Sequence, residues 1–201
     1  MQFKLPTNTW RYKIGLACWD LEVMHPEFIS SDLDKQTLLR ASVSSILSSL
    51  GNFAKLGNLS ITTSSVGEDA AQFNPDTSEE SLENFLLNYH DILEVEADLD
   101  LSLIGNDGIE NWLKGGVTLW FQLEDETDRS SPLRLLVSLN VDIYFSKTSG
   151  EIKDNHALSS MNAPRLNNFL IRLTKEQAKI MDIDAPGYLG QIDKRGLIKP
   201  T

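Results

Sequence analysis

The chain has 201 residues, of which 41% are hydrophobic and one is cysteine, and its formal net charge is -11 at neutral pH. This length suits one domain with a substantial core, and a single cysteine excludes an internal disulfide. No segment approaches the length of about 18 apolar residues that a membrane span requires, and no apolar run follows the N-terminus. We therefore expect a cytoplasmic protein without a signal peptide or a membrane span.

The N-terminal region predicts a strand over 10–18 that could continue to Val23, because apolar residues alternate there with small or basic ones. This alternation places Cys18 on the apolar face, where it would pack as a small hydrophobic residue. A helix is predicted over 31–54, with Ser31 as its N-cap. Its apolar stripe follows the helical period: Leu39, Val43, Ile46, Leu47, Leu50 and Phe53.

The opposite side of this helix is rich in serine, including Ser42, Ser45 and Ser49. Small hydroxyl side chains let another backbone approach closely, so this side is a candidate homo-oligomer contact. The alternative is a serine-rich face exposed to solvent. After the helix, 59–66 predicts a short edge strand, 67–76 a polar connector, and Thr77 with Glu80 a capping box that opens a second helix over 78–90.

The central stretch, 92–145, predicts a meander of three antiparallel strands with one buried side. Apolar residues alternate with polar ones in all three segments, which cover 93–103, 117–124 and 133–145. The first segment carries Glu94, Glu96, Asp98 and Asp100 on its polar side. Trp120 and Tyr144 occupy the polar sides of the second and third segments.

The C-terminal region predicts a third helix over 164–181, with Pro164 at its first turn and a restart at Thr174, where Gln177 completes a second capping box. Residues 188–201 are expected to form an extended tail. Together these elements predict a single α+β domain over 1–201. Its antiparallel sheet of four to five strands would be covered by helices on one face.

The negative charge is concentrated in one block of the sequence. Between Lys55 and Lys114 lie 13 of the 29 acidic residues and no lysine or arginine. Such a block disfavours direct binding to nucleic acid, whose affinity depends on basic side chains that contact phosphates. It favours either a basic protein partner or a simple solubility role.

The motifs of common catalytic sites are absent from the sequence, among them phosphate-binding loops, zinc-binding helices and nucleophile elbows. One alternative keeps an enzymatic function open. Asp98, Asp100 and Asp142 could hold Mg²⁺ for phosphoryl or nucleotidyl transfer if the register of the strands brought them together. The more economical interpretation is a solvated sheet face, so we predict no cofactor and no resident metal.

The favoured function is a non-enzymatic acidic protein that binds a basic protein partner. A toxin-neutralising immunity protein and an accessory, chaperone-like subunit both fit this size and charge. The predicted contact residues are Glu94, Glu96, Asp98, Asp100, Trp120 and Tyr144. A structural subunit of an oligomer, joined through the serine-rich helix face, is a further alternative.

Overall fold

A computed structural model of the chain describes residues 15–24, 34–123, 133–145, 156–185, 192–193 and 196–197. Three helices lie in this part of the chain: α1 (Lys35–Ser48), α2 (Leu82–Leu87) and α3 (His156–Glu176). The strands are β1 (Ala17–Val23), β2 (Ala54–Thr63), β3 (Gly67–Phe73), β4 (Ile92–Ile104), β5 (Glu110–Leu123), β6 (Leu133–Leu139), β7 (Ala178–Asp184), β8 (Ile192–Asp193) and β9 (Gly196–Leu197).

The first seven strands form one antiparallel sheet in the order β3-β2-β4-β5-β6-β1-β7, and β8 pairs with β9. The predicted α+β class is correct, but the predicted four to five strands are too few. Two of the strands that the prediction missed lie at the edges of the sheet. β3 pairs antiparallel with β2, and β7 pairs antiparallel with β1.

One face of the sheet is buried against the helices. Leu99, Leu119, Val137 and Val141 are fully buried, as the alternation of the meander predicts. The buried residues of the strands and the apolar stripes of α1 and α3 belong to one hydrophobic core. Within it, Phe53 stacks on Phe169 of α3 with a centroid distance of 4.8 Å.

The predicted helices exist, but their limits differ. The Asp34 side chain caps α1 by accepting a hydrogen bond from the Thr37 N–H, and Ser31 lies outside the described residues. Ser81, not Thr77, is the N-cap of α2. α3 runs through Pro164 instead of starting there, and no helix restarts at Thr174, whose hydroxyl donates to the Leu170 carbonyl.

Two helix side chains bind the backbone of β4, at its first and last residues. The Gln36 amide of α1 donates to the Ile92 carbonyl and accepts from the Ile92 N–H. Asn162 of α3 does the same at Ile104, with distances of 3.0 Å to the carbonyl oxygen and 2.8 Å to the nitrogen. A primary amide presents an N–H donor and a C=O acceptor side by side. It can therefore make the two hydrogen bonds that one residue of a neighbouring strand would make. These contacts fix both helices to the sheet.

The connection between β4 and β5 is shorter than the interval 104–116 that separates the first two predicted segments. The Gly105 N–H donates to the Ile109 carbonyl, so the turn spans only 105–109, and Trp112 and Leu113 belong to β5. No helix within the described ranges is long and apolar enough to cross a membrane.

Candidate partner-binding face

The side of the sheet opposite the helices carries the polar residues of the strands, and we call it the open face. The register of the strands arranges it in rows that cross the sheet. The central row contains Ser60, Glu96, Trp120, Leu136, Asp20 and Asp182. Trp120 and Leu136 are thus neighbours at the centre, between Glu96 on β4 and Asp20 on β1.

The rows on either side of the centre also carry carboxylates. One contains Thr62, Glu94, Gln122, Arg134, Glu22 and Lys179, so it holds two acidic and two basic residues. The other contains Asn58, Asp98, Thr118, Ser138, Cys18 and Asp184. Carboxylates therefore flank the Trp120–Leu136 centre on both the β4 side and the β1–β7 side.

Glu94 is held in place by neutral donors from β5. The Trp120 indole N–H donates to Oε2 of Glu94 at 3.3 Å, and the Gln122 amide donates to Oε1 at 3.1 Å. Both donors are uncharged groups, so these bonds fix the orientation of the Glu94 carboxylate without pairing it with a cation. Glu96, its neighbour on the open face, is exposed.

Asp98 and Asp100 also bind neutral groups, but they differ in burial. Thr118 donates to Asp98 at 2.9 Å, and Asn140 donates in turn to the Thr118 hydroxyl at 3.1 Å. Asp100 is only 7% exposed, so the prediction that it lies outside the core is wrong. The Gly115 N–H donates to its carboxylate at 3.1 Å. Asp100 therefore offers little contact area to a partner.

The close approach around Asp100 depends on glycine. A Cβ added to Gly57 would lie 2.7 Å from Oδ1 of Asp100, which is shorter than a van der Waals contact. Gly115, which supplies the N–H donor, has φ of 56°, a backbone conformation that favours glycine. The buried carboxylate is thus enclosed by backbone that only glycine accommodates.

The β1 side of the open face carries an ion pair and a thiol. Arg134 of β6 binds the Asp20 carboxylate, and both side chains are partly exposed. Cys18 was predicted on the apolar face, but Ala17, Trp19 and Leu21 are buried instead and Cys18 lies half-buried on the open face. Desolvation, with Asp20 and Asp184 nearby, raises the pKa of Cys18 to about 11. The thiol is therefore protonated at neutral pH and is a poor nucleophile.

Two predicted site residues are not on the open face. β6 ends at Leu139 instead of continuing to Phe145, and the following residues form a turn in which the Phe145 N–H donates to the Asp142 carbonyl. Tyr144 is 1% exposed, its ring centroid lies 6.3 Å from that of Phe53, and burial raises the pKa of its hydroxyl. The prediction that Tyr144 lies on the polar side is therefore wrong.

Asp142, the third residue of the alternative metal site, is fully buried in the same turn. The prediction that it shares an exposed strand face with Asp98 and Asp100 is wrong, because the strand ends before reaching it. Among the residues that the structure describes, no group of three or more His, Cys, Asp or Glu is arranged to hold a metal ion. The enzyme alternative thus loses the arrangement on which it was based.

The serine-rich side of α1 differs from the prediction in one residue. Ser42 is 1% exposed and faces the core, so it cannot contact a second copy of the chain. Ser45 and Ser49 are half-buried, and the Ser49 hydroxyl donates to the Ile46 carbonyl. Self-association through Ser45 and Ser49 remains a prediction.

Four acidic residues of the open face were not among the predicted site residues: Asp20, Glu22, Asp182 and Asp184. All four lie outside the acidic block of the sequence, on β1 and β7. The alternation of Asp20 and Glu22 with Trp19 and Leu21 was a usable signal for β1. No local signal places β7 beside β1, because this pairing joins the two ends of the chain.

Comparison with known proteins adds no assignment. No protein-family model matches the chain, and neither the curated proteins nor the solved structures yield a match.

Proposed function

We propose that this protein is a non-enzymatic binding protein that docks a basic protein partner on its open face. The observation that carries this proposal is the central row of the sheet, in which Trp120 and Leu136 lie between Glu96 and Asp20. An apolar, aromatic centre with a charged surround is the usual arrangement of a protein-binding hot spot.

The charge of the face supports a basic partner. The open face carries more acidic residues, on β4, β1 and β7, than basic ones. The basic residues are Lys55, Arg134 and Lys179, and each is the cross-strand neighbour of an acidic residue. A surface dominated by one sign of charge attracts partners of the opposite sign and accelerates their association. The same charge repels phosphate backbones, so we propose no direct contact with nucleic acid.

The ordered carboxylates support recognition rather than mere solubility. Glu94 and Asp98 accept hydrogen bonds from Trp120, Gln122 and Thr118, and these bonds restrict their rotamers. A solubility surface needs charge but no fixed orientation, whereas a recognition surface gains affinity when its side chains are ordered before binding. A toxin-neutralising immunity protein or an accessory, chaperone-like subunit would use such a surface in the cytoplasm.

The test begins with a pull-down in which the full chain is the bait, followed by association kinetics with the captured partner. The double variant Glu94→Gln/Glu96→Gln removes charge from the open face. Its matched control, Glu79→Gln/Glu83→Gln, removes the same charge at exposed positions at or beside α2, which packs against α1 on the other side of the sheet.

We expect the captured partner to be basic and its association rate to fall as salt rises, because screening shortens electrostatic reach from about 30 Å at 0.01 M to about 8 Å at 0.15 M. The open-face variant should slow association at low salt more than it accelerates dissociation. The control variant should leave both rates nearly unchanged. Equal effects of the two variants, or an association rate independent of salt, would refute docking on the open face.

A further inference from the structure

We infer that the open face recognises an arginine side chain of its partner, whose guanidinium group stacks on the Trp120 indole beside Glu94 and Glu96. This inference rests on the proposed function, because it names the group of the basic partner that occupies the centre of the face. It follows from the part of the Trp120 side chain that remains accessible to a ligand.

The indole N–H of Trp120 is already used. It donates to Glu94 at 3.3 Å, so this donor already has an acceptor within the chain. The side chain is nevertheless 37% exposed at the centre of the sheet. What remains accessible is ring surface, whose negative quadrupole attracts cations.

Carboxylates lie beside that ring. Glu96 is the direct cross-strand partner of Trp120, and such pairs have Cβ atoms about 5 Å apart. A carboxylate accepts several hydrogen bonds at once, so Glu94 and Glu96 can accept from a ligand in addition to their present contacts. A cation over the ring would therefore meet negative charge at its edge.

The chain itself contains an example of this chemistry. On the same sheet, the Lys55 ammonium lies 5.5 Å from the centroid of the Trp112 ring. In the part of the chain that the structure describes, no cation lies over Trp120 in the same way. Trp112 and Trp120 are the exposed tryptophans of the described sheet. Since Lys55 lies over Trp112, the ring of Trp120 is the one that a cation of a partner can contact.

Arginine fits this position better than lysine. Its guanidinium group is planar and weakly hydrated, so it stacks flat on an aromatic ring while its N–H groups point outward at the ring edge. At that edge, the Glu94 and Glu96 carboxylates can accept hydrogen bonds from these N–H groups beside their contacts within the chain. Leu136, the neighbour of Trp120 on β6, extends the apolar surface on the other side and can pack against the methylene stem of the arginine.

The test is an NMR titration of the full chain with hexa-arginine and hexalysine peptides at low salt. It follows the indole N–H signal of Trp120, which is identified by its loss in Trp120→Phe. We expect hexa-arginine to shift this signal saturably and to bind more tightly than hexalysine. In Trp120→Leu, its affinity should fall about two- to fivefold, the range for an exposed cation–π contact, while Trp120→Phe keeps part of it. Trp112→Leu is the control and should not change the affinity.

The outcomes separate this inference from the proposed function. Equal affinity for both peptides, an affinity insensitive to Trp120→Leu, or an unmoved Trp120 signal would each overturn the arginine site. If binding still depended on Glu94 and Glu96, charge-based docking on the open face would stand. If neither peptide bound in a way that depended on these carboxylates, docking on the face would be overturned as well.

Discussion

Replacing Asn162 by alanine should destabilise the protein strongly, although it removes only a few atoms. Asn162 is fully buried, and its amide donates to the Ile104 and Leu158 carbonyls and accepts from the Ile104 N–H. Alanine would leave the N–H and C=O of Ile104, the last residue of β4, without these partners. An unsatisfied buried polar group costs about 1 to 3 kcal/mol, so we expect a loss of about 2 to 4 kcal/mol in the free energy of unfolding.

The measurement is urea unfolding followed by far-UV circular dichroism. The slope of the free energy of unfolding against urea concentration should be the same in the variant and the unaltered protein. Asn168→Ala is the matched control, because Asn168 is exposed on the same helix and its loss should change stability by less than about 0.5 kcal/mol. Hydrogen exchange at the Ile104 amide should accelerate in Asn162→Ala more than the global loss explains. If Asn162→Ala cost no more than Asn168→Ala, this amide would not hold α3 to the sheet.

Three further predictions concern the core, the thiol and the response to acid. Leu139→Ala should cost about 2 to 5 kcal/mol in the same unfolding assay, because Leu139 is fully buried; a loss below about 0.5 kcal/mol would place it outside the core. Cys18 should react with a disulfide reagent on the order of a hundredfold more slowly than free cysteine at neutral pH and gain reactivity only towards pH 11; fast reaction at pH 7 would contradict the raised pKa. The pKa of Glu110 is lowered by its hydrogen bond to Ser102 and by Arg165, so its contribution to stability is present above the unfolded pKa and is lost as pH falls through the folded value. Glu110→Gln should therefore flatten the acid limb of a plot of stability against pH, and an unchanged limb would show that this contact does not contribute.

Parts of the fold were predictable because local alternation and burial agree. β4 was predicted almost to its ends, since Val95, Ala97 and Leu99 all point to one side and all are fully buried. β7 was not, because the capping box at Thr174 and the apolar residues after it are also compatible with a continued helix. Pairing with β1 outweighs that local preference.

β3 was missed for a different reason. In its sequence, GEDAAQF, only Ala71 and Phe73 mark an apolar side, and an alternation of two residues is too short to predict a strand. The end of β6 was misplaced because alternation continues in the sequence beyond Leu139, while the chain turns there and buries Asp142 and Tyr144. A period of two residues predicts which side a residue faces only while the strand lasts.

The sequence by itself determined the acidic side of β4, the side of the sheet on which Trp120 lies and the buried face beneath, because each follows from alternation among residues close in the chain. The register that places Trp120 beside Glu96 was decided by the pairing of β4 with β5. Only the tertiary structure decided that Asp20, Asp182 and Asp184 complete the open face, and that Leu136 lies next to Trp120. β1 and β7 lie near opposite ends of the chain, and their pairing depends on which edges the rest of the sheet leaves available. Local alternation carries no information about that choice, so the composition of the face on the β1 side could not be read from the sequence.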